Sequence, residues 1–211
     1  MGLTIHYQGC ISDKHLLPEL IEELEEISKV HGWNFRIFER EFPEDRENLQ
    51  LEGFPLNEAL TKYSNDGLLY GIWFIPPKCD PVSVTFLKNG RLCSPSQLQN
   101  WGESTDETER KYLYMNFSKT QYAGAEIHKM VIGIFRYIAK RYLTDFEMSD
   151  EGEYWETNDE ELLEENFKRN TTLIDGFKMA LENNQRKESE DTEAYIIRIL
   201  EEFHQKQKPG N

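Results

Sequence analysis

The chain has little of what staples or activates a small protein. Its three cysteines, Cys10, Cys79 and Cys93, are odd in number and far apart. They form no CxxC pair, which argues against a zinc site and against a disulfide framework. That usage fits a reducing cytoplasm, the compartment expected here. Long apolar runs are missing: the best, residues 130–138, is about half of a membrane span. The opening residues, MGLTIHYQGC, lack the basic and apolar regions of a secretory signal. Positive charge is also short. Against 39 acidic residues stand 24 Lys and Arg, for a formal net charge of −15. Nucleic acid and anionic membranes both require a basic face, so neither is expected as a partner. A basic protein partner is compatible with this charge.

Catalytic signatures are equally scarce. The sequence holds no Walker A pattern, no GxGxxG, no HExxH, no GxSxG and no EF-hand ladder. No cofactor and no metal are expected.

What is present is enough for a folded core. The 211 residues are 38% hydrophobic and 12% aromatic, and aromatics bury large areas. Residues 3–9 alternate apolar and polar side chains, as a half-buried strand does. Leu17, Leu20, Ile21, Leu24 and Ile27 recur at helical spacing over 13–31, and Gly32 ends that helix. Residues 33–42, 68–75 and 81–88 predict further strands. Asn89-Gly90 predicts a hairpin, with 91–93 as its return. A short helix is expected at 56–63 and a polar surface loop at 94–110. Residues 111–117 alternate again, with Leu113, Met115 and Phe117 assigned to one face. Residues 122–143 predict a long buried helix, and 145–148 a last short strand. A capping box at 157–160 predicts a helix start, and 192–205 a final amphipathic helix.

This order predicts an α+β fold. The sheet is expected to be mixed and largely antiparallel, on a split βαβ, ferredoxin-like plan with an inserted hairpin. Residues 1–150 would form the sheet domain and 151–211 a helical extension packed on it.

Between Asp145 and Glu165 lie eleven acidic residues and no Lys or Arg. The later acids suit the start of a capped helix, where negative charge meets the helix dipole. The segment Asp150, Glu151, Glu153, Tyr154, Trp155 and Glu156 is not absorbed in this way, and it is the expected binding surface. Trp155 in such a loop more often covers a core edge. Thr120, Gln121 and Tyr122, at a strand-to-helix junction, are the expected pocket residues. His6, His128 and Glu126 are the candidate acid–base groups. They become chemically useful only if they meet carboxylates such as Asp150 or Glu153. A satisfied His128 is the simpler expectation. The leading expectation is a non-enzymatic protein-interaction module. A hydrolase with a carboxylate–His or metal cluster and a small-ligand binding domain are the alternatives. A homodimer is the base-rate expectation for assembly.

Overall fold

The computed structural model describes residues 3–43, 67–186 and 190–207. The helix expected at 56–63 lies outside them. Period-two alternation makes Thr4–Ile11 a strand, β1, with Ile5 and Tyr7 buried and His6 exposed. Helix α1, Leu17–Val30, carries Pro18 in its first turn, where the missing N–H costs nothing. Its buried stripe is Leu17, Leu20, Ile21 and Leu24. It packs across two of the next three strands, β2 (Asn34–Ile37) and β3 (Tyr70–Ile75); the third is β4 (Val82–Phe86).

The Asn89-Gly90 turn forms as expected. Gly90 sits at φ 82°, a conformation that glycine adopts without steric cost, and its N–H donates to the Leu87 carbonyl. The loop expected at 94–110 instead contains two short helices, α2 (Pro95–Trp101) and α3 (Glu107–Arg110). Ser94 and Asp106 cap them by accepting from the Gln97 and Thr108 N–H groups. A tight 3-10 turn, Lys111–Tyr114, then delivers the chain into β5, Asn116–Lys119.

Helix α4, Ala125–Tyr142, is amphipathic and not apolar all round. Val131, Ile132, Phe135 and Ile138 are fully buried, while Tyr137 on the opposite side is exposed. Each of those buried side chains contributes roughly 1.5–3 kcal/mol. Strand β6, Leu143–Asp150, is longer than expected. A short helix α5 (Tyr154–Thr157), a long α6 (Glu160–Asn183) and α7 (Thr192–Gln207) complete the order. Asp159, and not Thr157, caps α6, by accepting from the Leu162 N–H. Leu163 and Phe167 of α6 join the main core, and the Tyr195 hydroxyl of α7 lies within hydrogen-bond distance of the Leu181 and Asn184 carbonyls, which share its one proton.

The α+β class is observed. The strands form two antiparallel three-stranded sheets, ordered β5-β1-β6 and β2-β3-β4. The ferredoxin-like order is not confirmed, because β1 and β2 lie in different sheets. The hairpin return joins the sheets through single bridges, Cys10 to Arg91 and Phe86 to Leu92. No helix among the described residues is long and apolar enough to cross a membrane.

Candidate functional site

Strand alternation sorts the titratable groups onto two sides of the β5-β1-β6 sheet. On the inner side lies a buried polar node. His128 of α4 and Thr120 after β5 are fully buried, and Asp150 at the end of β6 is 4% exposed. His128 Nδ1 is 2.7 Å from Thr120 Oγ1, and His128 Nε2 is 3.0 Å from Asp150 Oδ2. The Thr120 hydroxyl has one proton. The Leu3 carbonyl, 3.2 Å away, already accepts the Thr120 N–H at 2.9 Å. A carbonyl can accept both of these bonds, and the imidazole bridges Thr120 Oγ1 through Nδ1 and Asp150 Oδ2 through Nε2.

Asp150 also accepts from three backbone N–H groups: Gly152 at 2.7 Å, Tyr154 at 2.9 Å and Trp155 at 3.1 Å. Burial pushes its pKa up. The His128 hydrogen bond and charge, with the Gly152 and Trp155 N–H groups, outweigh burial and hold it below the ordinary value. Threonine, histidine and aspartate are the residue types of a nucleophilic triad, but this one is sealed. Phe167 stands edge-on to His128 at 5.6 Å, and a Cβ on Gly152 would come within 3.0 Å of Nε2. No substrate atom fits beside it. The node is a structural clamp that ties α4 to the end of β6 and caps α5.

The segment expected to form the binding surface is divided by that clamp. Asp150 and Tyr154 are buried and cannot present themselves to a partner. Trp155 is partly buried, edge-on to Phe146 at 5.8 Å, which is the core-edge position. Arg136 donates to the Tyr154 and Trp155 carbonyls at 2.8 and 3.3 Å, closing the C-terminal end of α5. Glu151, Glu153 and Glu156 remain exposed.

The other candidates do not converge with His128. His6 lies on the outer side of the sheet, 3.7 Å from Glu151. Glu126 is exposed and pairs with Lys129 at 2.8 Å. At the expected pocket, Thr120 belongs to the clamp, Gln121 is buried, and Tyr122 is 65% exposed. Burial pushes the Cys79 and Cys93 thiols up to about 12, so neither is an activated nucleophile. Among the described residues, no three His, Cys, Asp or Glu side chains gather in a metal-binding group.

The outer side of the sheet is different in kind. The 3-10 turn shifts the register of β5 by one position from the simple alternation. Asn116, Ser118 and Thr120 therefore face inward and are buried, while Met115 and Phe117 face outward, 51% and 46% exposed. The inner partners explain this. Ser118 Oγ donates to the Pro81 carbonyl, and the Tyr7 hydroxyl donates to the Ser83 carbonyl, so this part of the interior is polar. Phe117 stands opposite His6, and His6 opposite Ser149. Glu147 of β6 and Glu151 just after it are exposed on the same side.

No protein-family model matches this chain, and neither does a curated protein or a solved structure. Met115 and Phe117 were not legible as surface residues in the sequence. The usable signal was the polar set Asn116, Ser118 and Thr120, three polar residues at strand spacing.

Proposed function

We propose that this protein is a non-enzymatic binding module that engages a protein partner through the outer face of the β5-β1-β6 sheet. The observation that supports it best is the inverted polarity of β5, which holds Phe117 and Met115 in water while polar residues occupy the interior. Exposed apolar side chains grouped on one sheet face mark contact surfaces. His6 extends the strip across β1, and Glu147 and Glu151 border it with negative charge. The chemistry suits a partner with an apolar anchor flanked by Lys or Arg, and complementary charge would set approach and register. The buried clamp supports this role by holding the end of β6 in place.

A photo-crosslinking residue placed at 117 tests it in cells. The control position is Val30 on α1, which is 82% exposed. Crosslinked product at 117 that exceeds the control, and that falls when Glu147 and Glu151 are changed to Lys, is the expected outcome. Equal crosslinking at the two positions would refute the proposal.

A further inference from the structure

A cleft at one end of the same sheet carries the opposite charge. It has a volume of about 460 Å³ and is lined by Gln8, Arg91, Glu107, Arg110, Lys111, Tyr114 and Met115. That volume lies within the range of small-molecule sites, roughly 300–1,000 Å³. Three cations against one carboxylate is an inversion of the whole chain, in which acids outnumber bases 39 to 24.

The cations are placed by the fold. Arg91 is pinned at the hairpin: its N–H donates to Asn89 Oδ1, its carbonyl accepts from Leu87, and its strand position bridges to Cys10. Its guanidinium lies 3.5 Å from the centre of the Tyr114 ring. Tyr114 is buried, and its hydroxyl accepts from Asn89 Nδ2 at 3.2 Å. A guanidinium stacked on a ring keeps its N–H donors in its own plane, directed sideways toward a ligand. Lys111 enters from the 3-10 turn and Arg110 from the end of α3. Neither Arg91 nor Lys111 makes an ion pair within the described residues. Arg91 and Lys111, lining one cleft of an otherwise acidic molecule, attract a compact anion.

We infer that this cleft is a binding site for a small organic dianion, carrying a phosphate or a pair of carboxylates. The charged oxygens would lie between Arg91 and Lys111, and the apolar portion against Met115. Two or more oxygens in one plane match the guanidinium fork. The cleft adjoins the proposed sheet face and shares Met115 with it, but it is read by a small ligand and not by a protein.

The test is titration of the intact protein with inorganic phosphate and, separately, with succinate at matched ionic strength, following amide chemical shifts. Saturable shifts confined to residues around 89–91 and 110–115 are expected with at least one of them. The stronger binder identifies the ligand as phosphate-bearing or dicarboxylate. Lys111→Gln should weaken binding about tenfold, the scale of one lost charge-assisted contact. Because Lys111 is exposed on a turn, this variant keeps the fold. Arg91→Gln, which also removes the stack on Tyr114, should weaken binding at least as much. Shifts that rise linearly without saturation for both probes, or saturation unchanged in Lys111→Gln, would overturn the inference.

Discussion

Replacing Asp150 with Asn tests the clamp at its centre. Asp150 accepts four hydrogen bonds, one from His128 and three from the Gly152, Tyr154 and Trp155 N–H groups. Asparagine has one acceptor oxygen. Set in the Oδ2 position, that oxygen keeps His128, Tyr154 and Trp155, and its amide group then points at the Gly152 N–H, donor against donor. The flipped amide is worse, since three donors would face it. One buried donor left unpaired costs about 1–3 kcal/mol. Loss of charge from the other three bonds costs roughly another 0.5–1 kcal/mol each. The sum is about 2.5–6 kcal/mol, and the scale found when one member of a buried ion pair is removed narrows it to about 3–5 kcal/mol. With an m-value near ~2 kcal/mol/M, the urea midpoint should fall by roughly 1.5–2.5 M. Glu151→Gln is the matched control. Its side chain is 46% exposed, and it should move stability by no more than about 0.5 kcal/mol. Acid supplies a second arm. The folded pKa of Asp150 lies below its ordinary 3.8, so its contribution is complete above that value and is lost as pH falls through the folded one. The gap between wild type and Asp150→Asn should therefore close on acidification. A midpoint change under about 0.5 M at neutral pH, or a gap that stays constant in acid, would refute the account of the clamp.

Two further outcomes follow from the same packing. In Gly152→Ala the new Cβ meets Leu163 Cδ1 at 2.8 Å and His128 Nε2 at 3.0 Å, so thermal melts should show a loss of about 1–3 kcal/mol; an unchanged melting temperature would mean that the clamp is loosely packed. Of the thiols, Cys93 is fully buried with its pKa pushed up to about 12, while Cys10 is partly exposed. A neutral thiol reagent should label Cys10 first and Cys93 only on unfolding, and early labelling of Cys93 would contradict its burial among Phe38, Leu69, Leu98, Leu113 and Tyr114.

What the sequence made legible was local. β1, α1, the Asn89-Gly90 turn and α4 are each encoded by a period or a turn within about twenty residues, and each appears where that pattern puts it. Pairing of distant strands has no such local code. Nothing in residues 3–9 or 33–42 says whether the two strands share a sheet, and they do not. The stretch at 111–117 failed for another reason. Both of its parities hold large residues, Tyr112 and Tyr114 against Leu113 and Met115, so alternation alone does not choose a face. The 3-10 turn buries Leu113 and Tyr114 together and sends Met115 outward. At 94–110 the helices are too short to show a period, although Ser94 before Pro95 is a helix-start signal that composition masked.

The candidate site was legible as a place and not as an arrangement. The acidic run draws attention because its charges are summed along the chain, whereas the fold separates them one residue at a time. Asp150 points inward and becomes the acceptor for His128; Glu151, its neighbour, points outward to the Thr4 N–H and His6. Tyr154 enters the core, while Glu153, at φ 62°, makes the turn before it. Acids that look equivalent in sequence therefore answer to different measurements. Charge reversal at Glu151 should change what the sheet face binds and leave unfolding nearly untouched. Neutralising Asp150 should change unfolding first, and binding only through the loosened end of β6. A variant series that moved both properties together at both positions would mean that the sheet does not keep the two sides apart.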